Sequence, residues 1–407
     1  MKRIILLLGL LSLGWLIYAL FEPIFNNFSG WQQIPNEVYL QKFEGTQDEI
    51  YLAEIEQSKS LIESIQKSSQ SPSISIAAMI NGKMVWTYAV GFLDMANRIK
   101  ADTSTQYRIG STSKALSSIG LGLLFQHGKL NPDSSIQYYT NKFKDKPNIS
   151  IRQLASHQSG IRNYGSCLCF PIWEYYRNRH FNSIEESLKE FEPDELLFEP
   201  GENFAYSSFN FTALSYAMDI VTPEGYLGFM KQKVCDAIKL NNTRPDDTNE
   251  KLKSRSIPYE INDNYFKRTI DVDLSNKWAG GGFLSTPSDL VKVGNVLVSG
   301  NLLNEETVNT ITTPQQLNNG NVNEQNYAMG WRHDYSIKYG DEEEVEVIHH
   351  GGMAVGGTAL LLVFPEHKLV IALSTNKGGQ QGNFKLFDYV APIAELFITK
   401  LRRSNSM

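Results

Sequence analysis

The chain has 407 residues, 42% hydrophobic and 20% charged, long enough to bury a large core in one big domain or two. A net charge of −6 provides no basic field for phosphates and argues against nucleic acid as a partner. Only three cysteines are present, Cys167, Cys169 and Cys235, which excludes a disulfide framework as the source of stability.

Residues 4–21, IILLLGLLSLGWLIYALF, follow Lys2 and Arg3 and carry no charge. A helix of that length spans roughly 27 Å, close to the hydrocarbon thickness of a bilayer. The run is longer than a usual signal-peptide core and is followed by no A-x-A cleavage site, which favours an uncleaved anchor over residues 1–22. The positive-inside bias then places the rest of the chain outside the cytoplasm, in the periplasm if the source is bacterial. Secretion after signal cleavage is the alternative.

Residues 23–46 read as an extended connector. Asp48 to about Lys67 carries a mostly apolar helical stripe of Ile50, Ile55, Leu61, Ile62 and Ile65. Two strand-like runs then flank Asn81-Gly82, the strongest short-range signal for a tight hairpin. Near the other end, residues 359–364 and 368–373 form a second strand pair, and a helical segment over 384–401 closes the chain. Strands at both ends with helical sequence between them predict an α+β sandwich: one antiparallel sheet flanked by terminal helices, with an inserted all-helical region over roughly 112–270. The main domain is placed at 47–403, with a tail at 404–407. The polar stretches 241–277 and 313–326 read as surface connections.

Three segments carry chemistry. RIGSTSKALSSIG, residues 108–120, spaces Ser111 and Lys114 as S-x-x-K at the start of an apolar helical run. Residues i and i+3 share one helix face, so the amine can reach the hydroxyl. It can act as a base only if its pKa is brought down by burial or nearby cations. S-x-x-K also occurs at Ser64–Lys67 and Ser374–Lys377, and the bland reading of Ser111 or Thr112 is a helix N-cap. The second segment, FEPGENFAYSSFNF, places Tyr206 on a turn before a helix, where a hydroxyl can serve as acid or base. The third, VIHHGGMAVGGTALLLVFPE, sets glycines beside His349 and His350 on a strand that something approaches closely. Adjacent strand residues point to opposite faces, so the two histidines cannot readily share a metal ion. The Cys167-Leu168-Cys169 turn lacks a second ligand pair for zinc and reads as a loop, with a labile disulfide as the minority reading.

In that order, these segments resemble the serine β-lactamase and penicillin-binding-protein superfamily, specifically its class C-like branch. The phrases IRQLASHQSGIRNY and KWAGGGFLSTPSDL extend the resemblance over roughly residues 70–400, and it is particularly similar to the mitochondrial serine β-lactamase-like peptidases and their bacterial relatives. The resemblance implies Ser111 as acylated nucleophile, Lys114 as proton acceptor, Tyr206 as proton shuttle and His350 with Gly352 as an H-x-G motif. It implies an oxyanion hole from the backbone N–H groups of Ser111 and Met353. The SHQSGIRNY and CLCF phrases read as rim loops with a structural rather than chemical role, with Tyr164 as a candidate pocket-lining residue. Ser208 stands where β-lactamases carry a substrate-contacting asparagine, which weakens the expectation of efficient β-lactam hydrolysis. The implied activity is hydrolysis of an amide or ester through an acyl-enzyme, on a peptide or small-molecule substrate, without metal or organic cofactor. D-alanyl peptidase, β-lactamase and esterase activities are alternatives on the same site. A filament-forming or scaffold protein that retains the fold, with homo-oligomers, is the alternative of another class.

Overall fold

The computed structural model describes residues 2–28, 30–165, 174–339, 343–378 and 386–405. Cys167 and Cys169 lie outside the described residues, and Cys235 is a buried free thiol. The first helix, α1, spans Lys2–Phe28 and so continues past the expected boundary at residue 22. Its side chains are described for residues 3–18, where the large apolar ones from Ile4 to Tyr18 are exposed. Among the described residues no helix is long and apolar enough to cross a membrane, and the end of the expected span, residues 19–21, lies outside the described side chains.

The body is built on an eight-stranded antiparallel sheet. Its strands are β1 (Lys42–Gln47), β2 (Ser73–Ile80), β3 (Lys83–Asp94), β4 (Ile99–Lys100), β5 (Arg332–Ser336), β6 (Val345–Ala354), β7 (Gly357–Phe364) and β8 (Leu369–Thr375). The spatial order is β5-β6-β7-β8-β2-β3-β1, with β4 on β3, so strands from the two ends of the chain meet where β8 pairs with β2. The β2–β3 turn is Asn81-Gly82 with φ of 50° and 75°, the doubly positive backbone that two-residue hairpins require.

Both faces of the sheet are covered, and the period-2 alternation sorts side chains between them. On β7, Leu360, Leu362 and Phe364 join the core under α2 (Leu52–Ser69) and the carboxy-terminal helix Leu386–Asn405, together with Trp86, Ile62 and Phe397. Ala359, Leu361 and Val363 join the opposite core with α3 (Ser113–Gln126), α4 (Ser208–Val221) and the helix Pro287–Ser299. That second core supports the cleft.

The polar stretch 241–277 is not wholly surface. Tyr259–Asn262 and Tyr265–Arg268 pair with each other, and the latter pairs with Gln32–Gln33. Asp246, Val272, Leu274, Asn276 and Lys277 are buried. Low apolar content misleads here because Asp246 and Asn276 are buried with polar partners: Asp246 with Arg108 and Arg255, and the Asn276 amide with Glu190.

Candidate active site

Ser111 lies in a 3-10 turn, Gly110–Thr112, that runs directly into α3. The turn is pressed against β6: a Cβ on Gly352 would stand 1.9 Å from the Ile109 carbonyl oxygen, so only glycine fits there. Gly110, at φ 51°, packs in turn on the Met353 backbone, with 2.5 Å between its hypothetical Cβ and the Met353 oxygen. The two contacts place the Met353 main chain beside the turn that carries Ser111. The cap reading fails, because Thr112 at the helix N-cap makes no side-chain capping bond.

The Ser111 hydroxyl instead faces Lys114, whose Nζ lies 3.3 Å from Ser111 Oγ. Lys114 is fully buried. Its Nζ also reaches Ser208 Oγ at 3.1 Å and donates to the Gly280 carbonyl at 2.6 Å. Among the described residues no carboxylate pairs with it. Burial, then the charges of Arg332 and Lys277, hold the amine well below the usual lysine pKa. The other two S-x-x-K pairs differ: Ser64 and Lys67 are solvated on α2, and Lys377 donates to the Ser69 carbonyl.

Tyr206 and Ser208 come from the turn that opens α4. The Ser208 backbone N–H donates to Asn163 Oδ1 at 2.9 Å, and Ser207 Oγ donates to the Arg162 carbonyl at 2.7 Å, which fixes this turn to the loop after residue 160. Lys114 Nζ lies 4.8 Å from the Tyr206 ring centroid, and the Ser111 hydroxyl lowers the phenol pKa against the larger effect of burial. Burial raises the Tyr206 pKa, so it is a phenol at neutral pH. Tyr164 packs on Tyr175 and Phe209.

His350 is fully buried behind the cleft, with Nε2 3.0 Å from the Tyr327 hydroxyl and Nδ1 2.7 Å from the Gly351 carbonyl. Burial and the nearby Arg332 and Lys114 cations hold its pKa well below the ordinary histidine value, so the ring is neutral. Its neighbour His349 points the other way, with Nε2 2.7 Å from Asp334 Oδ2.

A cleft of about 980 Å³ opens over these groups, walled by Ser111, Tyr164, Tyr206, Arg332, Gly352 and Met353. Lys114 and His350 are not on its wall; they act on it from behind. A nucleophilic hydroxyl, an amine whose pKa burial lowers, a phenol and a nearby backbone suited to an oxyanion form the minimum set for acyl transfer. Among the described residues no group of His, Cys, Asp and Glu could hold a metal ion.

Four contributors escaped the sequence reading. Tyr327 precedes β5 and Arg332 opens it, Gly280 supplies a carbonyl from the short helix Trp278–Gly281, and His157 is buried against Tyr206 with ring centroids 4.2 Å apart. The His157 Nδ1 accepts from the Ser207 backbone N–H at 3.3 Å and from the Asn210 amide at 3.2 Å, so the phrase SHQSG buttresses the tyrosine turn. The phrase itself was the available signal for His157; nothing local marked Tyr327.

The Beta-lactamase family model matches residues 59–395. The human serine beta-lactamase-like protein LACTB, mitochondrial, is 29% identical, covering 77% of this chain and 72% of that protein. Among solved structures, the penicillin binding protein from Bacillus halodurans superposes with a TM-score of 0.69 at 19% identity, covering 82% of this chain and 98% of that one. D-amino acid amidase from Ochrobactrum anthropi also gives 0.69, at 20% identity, covering 86% and 99%. The fold is that of the β-lactamases and transpeptidases, and the chain belongs to the Beta-lactamase family.

Proposed function

We propose that this protein is a serine hydrolase that cleaves an amide or ester through an acyl-enzyme on Ser111, and that its natural substrates are peptides. One observation carries the reading: Lys114 Nζ is buried without a carboxylate among the described residues and lies 3.3 Å from Ser111 Oγ. As the Ser111 oxygen bonds to the substrate carbonyl carbon, its proton passes to the Lys114 amine. The carbonyl becomes an oxyanion held by the Ser111 and Met353 N–H groups. The C–N or C–O bond then breaks as Tyr206 protonates the leaving group and takes in exchange the proton held on Lys114; water next adds to the acyl carbon, and its proton passes to the Ser111 oxygen as the acyl bond breaks and the acid leaves. One such oxyanion donor is worth on the order of 10²–10³ in turnover.

Within this class Arg332 favours a substrate bearing a carboxylate. Its guanidinium lies over the Tyr206 and Tyr327 rings at 5.6 and 5.1 Å, lines the cleft, and pairs with no carboxylate among the described residues. That chemistry suits a peptidase acting near a chain terminus, including a D-alanyl peptidase. The exposed apolar residues of α1 after Lys2 and Arg3 support an anchor that holds the catalytic body outside the cytoplasm.

Labelling with a fluorescent fluorophosphonate, and with a fluorescent penicillin, tests the reading. Covalent modification of the full chain that disappears in Ser111→Ala is expected. A folded wild type that reacts with neither probe overturns the assignment. Carbonate extraction of membranes tests the anchor, which fails if the full chain is released with the soluble fraction.

A further inference from the structure

We propose that a basic pocket beside the point where α1 joins the body binds the phosphate of an anionic phospholipid headgroup and so seats the catalytic body on the bilayer. This rests on the anchor reading of α1 and is independent of the chemistry at Ser111. The connector behind α1 is short and stitched into the body. Gln32 and Gln33 pair antiparallel with Phe266 and Tyr265, and Ile34 and Val38 are buried with Phe92, Tyr259 and Phe266. In that register the chain running back toward α1 brings Trp31 and Gly30 abreast of Lys267 and Arg268, and Lys267 Nζ lies 5.0 Å from the Trp31 ring centroid. α1 ends at Phe28, two Cα steps of about 3.8 Å from Gly30. The helix continues past the apolar run by residues 22–28, about 10 Å of rise, which sets Phe28 near the outer level of the headgroups. Arg268 is thereby held close to the exit of the anchor, whatever direction the helix takes.

Arg268 forms one wall of a cavity of about 680 Å³ whose other cationic walls are Arg108, Lys251, Lys253 and Arg255. The local carboxylates are already engaged. Glu250 pairs with Arg244 and Asp271 with Arg268, each at 2.8 Å, and Asp246 behind the wall is shared by Arg108 and Arg255. The neighbouring Asp247 carboxylate accepts from the backbone N–H and the amide of Asn249. Lys251 and Lys253 are exposed and pair with no carboxylate among the described residues, and two guanidinium groups lean on the single Asp246. A chain of net charge −6 thus gathers an excess of positive charge at this one place. Burial, joined by the charges of Arg108 and Arg268, lowers the Arg255 pKa against the pull of Asp246, and an anion in the pocket relieves that strain. Asp246 holds the two guanidinium groups in fixed positions, ready for phosphate oxygens, and the lysines add mobile point charges at the rim. A soluble anion would meet the same groups. The place beside the anchor selects the headgroup, because anionic lipid is concentrated at that surface and its field acts over about 10 Å.

The full chain in nonionic detergent, titrated with dioctanoyl phosphatidylglycerol and followed by its melting temperature, tests the site. Saturable stabilisation is expected, absent with zwitterionic dioctanoyl phosphatidylcholine at the same concentration and weakened by salt. Lys251→Gln combined with Lys253→Gln should lower the apparent affinity by about tenfold or more, with the lipid-free melting temperature unchanged. Equal stabilisation by the two lipids, or a double variant that titrates like wild type, overturns the proposal. Inorganic phosphate that saturates the pocket as tightly as the lipid assigns it to a soluble anion and overturns the proposal as well. If the double variant does not fold, Arg268→Gln decides it, and an affinity within twofold of wild type there overturns it. Failure of the anchor reading looks different: the full chain would leave membranes in carbonate yet still bind phosphatidylglycerol in detergent.

Discussion

Arg108 and Lys114 stand six residues apart in one stretch, both buried and both cationic by nature, and the fold treats them oppositely. Arg108 Nε pairs with Asp246 Oδ2 at 2.7 Å, its Nη1 donates to the Val355 carbonyl at 3.0 Å, and Arg255 joins the same carboxylate. Among the described residues Lys114 meets only neutral oxygens, those of Ser111, Ser208 and Gly280, with Arg332 and Lys277 adding like charge. A buried charge is tolerable when paired; an unpaired one gives up its proton. The first arrangement ties Arg108, just before the Ser111 turn, to Asp246, Arg255 and the turn that follows β6. The second converts folding free energy into a base.

The largest expected effect comes from removing the unpaired cation. Lys114→Met should slow Ser111 acylation by about 10²–10⁴-fold, the usual range for a lost general base, measured as labelling rate against wild type. The same variant has a signature in stability. Between the depressed folded pKa of Lys114 and the ordinary lysine value, the unfolded chain binds a proton that the folded chain does not, so wild-type stability rises with pH across that window. Lys114→Met loses this component, and its denaturation midpoint should depend less on pH from neutrality to pH about 10. A slope equal to that of wild type would mean that Lys114 is protonated in the folded protein, and the contrast with Arg108 would collapse.

The paired site should fail in the opposite manner. Asp246→Ala leaves Arg108 and Arg255 buried without their carboxylate, and breaking a buried pair from one side costs about 3–5 kcal/mol. Urea unfolding should report that loss. The folded fraction should still label at Ser111 within a few-fold of wild type. A variant that unfolds normally but loses labelling would assign Asp246 to chemistry rather than to structure.

The sheet was legible where pattern is local. Asn81-Gly82 marked its hairpin, the apolar run at 359–364 lies within β7 and that at 368–373 coincides with β8 from Leu369 on, because strand alternation and turn chemistry are short-range signals. Ser111, Lys114, Tyr206 and His350 were found through three phrases and a family resemblance, and the structure brings them together. Tyr327 and Arg332 left no comparable trace, and the phrase KWAGGGFLSTPSDL contains Gly280 without marking its carbonyl as a partner of Lys114. Their roles arise from contacts spanning 23 to 166 residues, between a hydroxyl, a guanidinium or a main-chain oxygen and a partner set only by tertiary packing. Lys277 was hidden for another reason. It sits at the end of a polar stretch that reads as solvated, yet its ammonium is buried 4.5 Å from the Tyr164 ring centroid and 5.2 Å from that of Tyr175.

Lys277 offers the finest test of the contrast. It caps the helix Trp278–Gly281 whose Gly280 carbonyl receives Lys114 Nζ, and it adds a positive charge that lowers the Lys114 pKa. Replacing it with methionine keeps an apolar, polarizable chain against the two tyrosine rings while removing the charge. The Lys114 pKa should then move back toward its ordinary value, and the acid limb of the acylation rate should shift to higher pH by about one unit at most, with the plateau unchanged. Burial pushes the pKa of Lys277 itself down to about 8, so wild type sheds this charge above that pH. The Lys277→Met and wild-type profiles should therefore differ below pH 8 and converge above it. A uniform drop in rate at every pH would instead show that Lys277 acts by holding Tyr164 and Tyr175 in place.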